Sequence, residues 1–161
     1  MSSSFQINIE RLSNFAYDTL NPNISDSTDP RVPIPLDNTT GEVILSTIRL
    51  PVQKEKSFIW LSATVGFRVN GPDASTPPAA MIFRIYRGNP DTGNLIYTTT
   101  DSGQGGAGEP TFRTTNLNHV DTQKKTCSCV SYTLTVEAVD IESIDIIGPI
   151  TFTAAEILDS N

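Results

Sequence analysis

Two cysteines, Cys127 and Cys129, stand one residue apart in KKTCSCVSYTL, and the one histidine, His119, lies close to Asp121 in NLNHVDT. A histidine beside an aspartate is the raw material of a catalytic dyad or a metal ligand. With no second histidine, a His-rich zinc site cannot be built from one chain, and a solvated loop histidine is the plainer expectation. The cysteines share the parity of Ser131, Thr133 and Glu137, the wet side of a strand. Their Cβ atoms are then roughly 6–7 Å apart, against the ~3.8 Å of a disulfide, so they do not pair with each other on a regular strand. Bonding to a neighbouring subunit, a strained local bridge, a frayed strand and two idle thiols all remain open. No G-x-S-x-G is present. Gly103 to Gly108 lacks the Lys-Ser or Lys-Thr and the helix of a phosphate-binding loop. Asp26, Asp29, Asp37, Asp73, Asp91 and Asp101 fall in loops without the D-x-D-x-D-G spacing of a calcium site, and turn formation is their expected use. Asn23 and Asn38 each begin an N-x-[ST] sequon. No nucleophile and base, and no metal cluster, assemble from these residues. The expectation is a protein without enzymatic activity and without a cofactor.

The elements that carry these residues read as strands. From Val130, the residues Val130, Tyr132, Leu134, Val136 and Ala138 share one parity. After a turn at Asp140 to Glu142, Ile144, Ile146, Ile150, Phe152 and Ala154 do the same. A period of two means one dry face and one wet face, and the two runs read as a long hairpin that needs a second sheet. Pro149 interrupts the last strand and predicts a bulge or an edge. Further strands are expected at Glu42 to Leu50, with Ile44, Ile48 and Leu50 on one face, and at Ser57 to Asn70, with Ile59, Leu61, Ala63, Val65, Phe67 and Val69 inward. Met81 to Arg87, Leu95 to Thr100 and Thr111 to Thr115 follow, and Asn116 to Lys125 reads as a polar connection. Phe58 and Trp60 have the outward parity of their strand and Tyr86 that of another. These three are a candidate exposed aromatic surface, suited to a subunit interface or to sugar rings.

Ahead of these lies a different kind of chain. Phe5, Ile7 and Ile9 alternate with polar residues in a short strand at 5–12. The stretch from 13 to 40 then carries four prolines and many Asn, Asp and Ser, and reads as irregular chain with local anchors at Phe15, Tyr17 and Leu20. Fully extended it reaches up to roughly 90 Å, so Phe5, Ile7 and Ile9 have the reach to join the sheet of a neighbouring subunit as well as their own. The expected fold is all-β: an antiparallel jelly-roll-like β-sandwich of about eight strands over 41–161, with an N-terminal arm over 1–40.

Composition narrows the partners. The chain has 161 residues, 37% of them hydrophobic and 18% charged, with 10 Gly and 11 Pro and a net charge of −7. One domain with a real core fits that length. An acidic chain gains nothing from counterion release at phosphates, so nucleic acid is not an expected partner. The start MSSSFQINIERL has neither a basic nor an apolar segment and does not read as a secretory signal, and no run is long enough to span a membrane.

The run VSYTLTVEAVDIESIDIIGPITFTAAEI, residues 130–157, resembles the closing strands of spore-surface proteins of endospore-forming Bacillota. Among these are exosporium basal-layer proteins and the C-terminal domains of collagen-like spore glycoproteins, whose jelly rolls are of the tumour-necrosis-factor or C1q type. An extended arm ahead of a jelly roll is also similar to the subunits of endospore appendages, pilus-like fibres in which an N-terminal connector joins one subunit to the next. The resemblance implies a self-assembling structural subunit, a homo-oligomer or filament at the spore surface. It would be joined by donation of the first strand, with anchoring or tip proteins as further partners. Some appendage connectors carry cysteines, and residues 1–40 have none, so any cross-link falls to Cys127 or Cys129. The alternative expectation is a carbohydrate- or receptor-binding jelly-roll module.

Overall fold

The computed structural model describes residues 9–21, 28–53, 57–70, 79–103, 109–122, 129–139 and 143–159. They form nine strands: β1 (Ile9–Thr19), β2 (Ile34–Leu36), β3 (Val43–Leu50), β4 (Phe58–Asn70), β5 (Ala79–Arg87), β6 (Asn94–Gly103), β7 (Thr111–Thr122), β8 (Val130–Ala138) and β9 (Ser143–Asp159). One sheet, here called A, runs β1-β9-β4-β7, with the short β2 also bonded to β9. The other, sheet B, runs β3-β8-β5-β6. All pairings are antiparallel. The chain crosses between sheets after β2, β3, β4, β6, β7 and β8, which is the jelly-roll form of a β-sandwich.

Alternation explains the core. The odd residues of β4 from Ile59 to Val69 are buried, as are Met81, Phe83 and Ile85 of β5, Tyr132, Leu134 and Val136 of β8, and Ile144, Ile146, Ile150, Phe152 and Ala154 of β9. These faces meet between the sheets, and each large side chain contributes about 1.5–3 kcal/mol relative to exposure. The bulge expected at Pro149 is present. Val65 is opposite Ile150 and Phe67 is opposite Ile146, so Gly66 alone faces Ile147, Gly148 and Pro149. Gly148 has φ of +97°, open to glycine, and its carbonyl oxygen would collide with a Cβ on residue 66. Glycine at 66 is what lets the bulge sit against β4.

Polar contacts close the two sides of the sandwich. Asp121 of β7 points inward and is buried. Arg87 of β5 grips it with Nε at 2.8 Å from Oδ2 and Nη2 on Oδ1, and the Tyr132 hydroxyl donates to Oδ2 at 2.8 Å. This pair ties sheet A to sheet B. On the same side the Tyr97 and His119 rings lie 5.3 Å apart, and Thr115 donates to Asp101. On the opposite side the Ser46 hydroxyl donates to Asp18 at 2.8 Å, and Arg31 holds both Asp18 oxygens at 3.0 and 2.8 Å.

Four expectations are corrected. First, β8 and β9 are not a hairpin: they lie in different sheets and face each other across the core. Alternation reports which face is dry and is silent on whether two dry faces share a sheet or oppose. Second, the stretch from 13 to 40 is not a free tether. β1 continues to Thr19 on the edge of β9, and Leu20 and Leu36 are buried in the core. Its inward positions hold Asn14, Ala16 and Asp18, so no apolar stripe announces it. Third, β7 runs to Thr122 in place of ending at Thr115. Its inward residues are Thr115, Leu117, His119 and Asp121, polar enough to read as a connection. Fourth, a register shift between Ile44 and Ser46 turns Ile44 outward, where it is exposed, and seats Leu45 in the core.

Two predictions follow from this framework. Gly66→Ala forces a methyl into the Gly148 carbonyl, and the urea midpoint is expected to fall by the equivalent of about 3 kcal/mol or more; an unchanged midpoint contradicts the bulge geometry. Asp37 accepts from the Thr39 amide at 2.8 Å and from the Thr39 and Thr40 hydroxyls at 2.7 and 2.9 Å. The Thr39 hydroxyl above all lowers its pKa from 3.8 to about 2. A depressed carboxylate adds stability that is whole above pH 3.8 and lost as pH falls through about 2. The stability difference between wild type and Asp37→Asn, followed by urea titration at stepped pH, is therefore expected to shrink to nothing across that window.

Candidate functional site

The outer face of sheet A is built by register. Trp60 on β4 is opposite Ala155 on β9 and Val120 on β7, and Phe15 on β1 is opposite Ala155 from the other side. One row across four strands therefore reads Phe15, Ala155, Trp60, Val120. The row toward one end reads Leu12, Ile157, Phe58, Thr122, and the row on the other side reads Tyr17, Thr153, Ser62, Asn118. Leu12, Phe15, Tyr17, Trp60 and Val120 are 58%, 56%, 65%, 49% and 53% exposed. Phe58 and Ile157 are half-buried beside them, and small Ala155 is buried beneath. The Phe15 and Tyr17 rings lie 5.9 Å apart and are tilted by 32°.

These side chains make one apolar patch. With strands ~4.8 Å apart and alternate residues ~6.8 Å apart, three rows over four strands cover roughly 400 Å², of which the apolar and aromatic positions, all but Thr122, Thr153, Ser62 and Asn118, make up about two thirds. No outward residue in these rows is charged. The next row, Thr19, Thr151, Thr64 and Asn116, is a polar belt, in which Thr64 donates to Asn116 at 2.9 Å and the Thr19 and Thr151 hydroxyls are 3.1 Å apart. Beyond the bulge Arg68 and Asn70 of β4 hold Asp145.

The sequence-predicted residues are divided by this arrangement. Phe58 and Trp60 lie in the patch. Tyr86 does not: it is on the outer face of sheet B, half-buried, with its hydroxyl donating to Glu42 at 3.2 Å. Burial first, and then Glu42, raises its pKa. Around it Arg84 sits 2.7 Å from Glu137 and 3.6 Å from Glu42, so this second surface is a charged one. A recess beside it, lined by Glu42, Ile44, Asn89, Pro90, Asp91 and Thr135, holds about 160 Å³, below the ~300 Å³ at which small-molecule pockets begin. Sequence reasoning assigned Phe15 and Tyr17 to local anchoring and did not single out Val120. The shared parity of Phe15 and Tyr17 was the available signal, but it points outward and so inverts the usual rule.

Of the first-strand residues, Phe5 and Ile7 lie outside the described residues. Ile9 opens β1 opposite Asp159 of its own β9. Cys127 also lies outside the described residues. Cys129 is an exposed free thiol just before β8. His119 sits on strand β7 against Tyr97, and Asp121 is engaged by Arg87 and Tyr132, so the two form no dyad. Among the described residues no three His, Cys, Asp or Glu side chains gather as for a metal ion.

No family model and no curated protein matches the chain. Among solved structures it is similar to the Eiger TNF of S. frugiperda, with 9% identity, 94% of this chain and 96% of that one covered, and a TM-score of 0.47. The structure of the infectious bursal disease virus Gx strain matches at 14% identity over 94% of this chain and 38% of the viral one, with a TM-score of 0.46. TmCBM61, solved with β-1,4-galactotriose, matches at 12% identity over 88% and 86%, with a TM-score of 0.35.

The patch is expected to be dispensable for folding. Trp60→Ser should cost no more than about 1 kcal/mol, as surface changes do. Phe152→Ala, in the core of the same sheet, should cost about 3–5 kcal/mol. Equal losses in urea titrations would show that Trp60 is a folding residue and not a surface one.

Proposed function

We propose that the chain is a non-enzymatic structural subunit that assembles with copies of itself through the outer face of sheet A. The observation that carries this reading is the uncharged aromatic patch of Leu12, Phe15, Tyr17, Trp60 and Val120 on a molecule of net charge −7. Two such molecules repel at a distance, and a neutral apolar face is where they approach at least cost. Burying all three rows on both partners removes roughly 800 Å² in total, less than the ~1,200 Å² of a stable isolated interface. A contact of that size works in a repeated assembly, where each subunit is held more than once. The finer assignment, a layer or pilus-like fibre of the endospore surface (exosporium or appendage), rests on the resemblance of residues 130–157 to spore-surface closing strands. In such a layer the exposed Cys129 thiol is available for locking contacts between subunits in an oxidising exterior.

A second reading has its own observation. Trp60 is flanked by Ser62, Thr153 and Asn118 in the next row, and a flat ring beside hydroxyl and amide groups suits a sugar. A carbohydrate-binding module would use the same face.

Sedimentation across a concentration series, for wild type and Trp60→Ser, separates the readings. Self-association that weakens at least tenfold in the variant, with a blue shift of Trp60 emission as wild type assembles, is the expected result. Equal association of both proteins sinks the face as the contact. A wild type that stays monomeric but binds immobilised glycans through Trp60 hands the site to the second reading.

A further inference from the structure

We propose that β7 is a second self-association site: its free edge pairs antiparallel with the β7 edge of another copy, about a two-fold axis at Leu117, joining two A sheets into one. This inference rests on the self-assembly reading and supplies the additional contact that a small face requires.

The first support is the shape of the edge. Among the described residues β7 is bonded only to β4, and twelve consecutive pairs from Phe58↔Thr122 to Val69↔Thr111 run without a register shift. The other edges are interrupted. β1 shifts register between Ile9 and Arg11 and again between Leu12 and Asn14. β3 shifts between Ile44 and Ser46, and the β5–β6 pairing between Ile85 and Tyr86. β2 has three residues with Pro35 in the middle. Bulges, short length and proline are among the devices that stop edges from pairing, and β7 carries none of these three; its inward charges, Arg113 and Asp121, are already met within the subunit, by Asp101 and by Arg87 with Tyr132. It also lacks lysine and glycine, and Thr114 to Val120 has no charged residue.

The second support is charge. The two charged residues of β7, Arg113 and Asp121, are placed symmetrically about Leu117. Antiparallel pairing about Leu117 sets Arg113 opposite Asp121 of the second copy, Thr114 opposite Val120, Thr115 opposite His119 and Asn116 opposite Asn118. No like charges meet in this register: Arg113 lies opposite an Asp121 that stays held by Arg87 and Tyr132 of its own subunit, and a like charge placed there would be destabilising. Arg113 has a side chain 45% exposed and keeps a loose ion pair with Asp101 at 3.7 Å. Shifting the register by one residue breaks the match and turns each inward side chain against an outward one.

The third support is continuity. Val120 of β7 lies next to Trp60, so the apolar face runs up to the seam and a joined sheet carries it across. A subunit with two different isologous contacts, one on its face and one on its edge, does not close into a dimer. Each copy binds two neighbours, and the assembly closes as a dihedral tetramer where the two axes intersect and grows as an open chain where they do not.

The test begins with Asn116→Cys and Asn118→Cys together, in full-length protein with Cys127→Ser and Cys129→Ser. The paired positions lie about 5 Å apart at Cβ across the two-fold, whereas positions two apart on one strand are too distant to bond. Mild oxidation is expected to give a covalent dimer with peptides 116 and 118 linked between copies; a product that stays monomeric overturns the proposal. Sedimentation of uncross-linked variants gives an independent readout. Trp60→Ser, with the face contact removed, should stop at a dimer held by β7. Adding Arg113→Asp should weaken that dimer at least tenfold, and adding Arg113→Lys should not. If Trp60→Ser is monomeric while wild type assembles, the edge proposal falls and the face reading stands. If Trp60→Ser assembles as wild type does but Arg113→Asp dissociates it, the face reading falls and the edge stands.

Discussion

Strand β9 must satisfy hydrogen-bonding partners on both of its edges along 17 residues. β4 takes one edge over 143–157, except at the bulge. The other edge is shared: β1 takes residues 151–159 and β2 takes 144–146. The exchange happens at the bulge of Ile147, Gly148 and Pro149, where the backbone swings away from the first partner before it meets the second. Everything else in sheet A is placed by that exchange. β1 is set at one end, so its aromatic side falls beside Trp60. β2 is set at the other end, so Leu36 closes the core there. The bulge leaves Ile146 and Ile150 both inward, which keeps the dry face unbroken although the ladder is not.

The fold was legible where side chains alternate in hydrophobicity, and these are the central strands. β4, β5, β8 and β9 each carry an apolar inward row, and their positions read directly from the parity of Ile59, Phe83, Leu134 and Phe152. Edge strands were harder. β1 has Asn14, Ala16 and Asp18 inward, and β7 has Thr115, His119 and Asp121, because the inner side of an edge strand lies at the rim of the core, where a polar group finds a polar partner: Glu156 for Asn14, Asp101 for Thr115, Arg87 for Asp121. Half of the candidate site was legible for the same reason. Phe58 and Trp60 lie on a central strand whose parity is plain. Phe15 and Tyr17 lie on an edge strand whose apolar residues face solvent, so their parity argued against a strand. Which strand lies next to which was not legible at all, since β8 and β9 satisfy the same alternation as a hairpin or as opposing layers.

The polar groups taken inside the sandwich are matched, and the matches specify register. Glu156 is fully buried on β9, where it accepts from Asn14 of β1 at 2.6 Å and from the Gln53 amide at 2.9 Å. Asp121 is bound by groups from β5 and β8. Buried charges contribute little net stability when satisfied, but removing a partner costs about 3–5 kcal/mol. Sliding β1 along β9, or β7 along β4, by two residues keeps the parity of every side chain and breaks these contacts. Apolar pairs tolerate such a slip, whereas Asn14–Glu156 and Arg87–Asp121 do not. The acidic residues that look out of place in the core are thus what holds two edge strands to one alignment.

The antiparallel pairing of β1 with β9 also decides how the subunit bears tension. Ile9 and Asp159 are neighbours across the ladder, so the two ends of the described chain leave the sandwich at the same corner. A pull applied through those ends loads the first rung alone, then the next, and peels β1 from β9 like a zipper. The rungs never share the load, as they do when strands are dragged lengthwise past each other. A fibre strung through its chain ends would yield at this corner first. Tension carried across sheet faces and edges bypasses it, and loads many hydrogen bonds and side chains in parallel.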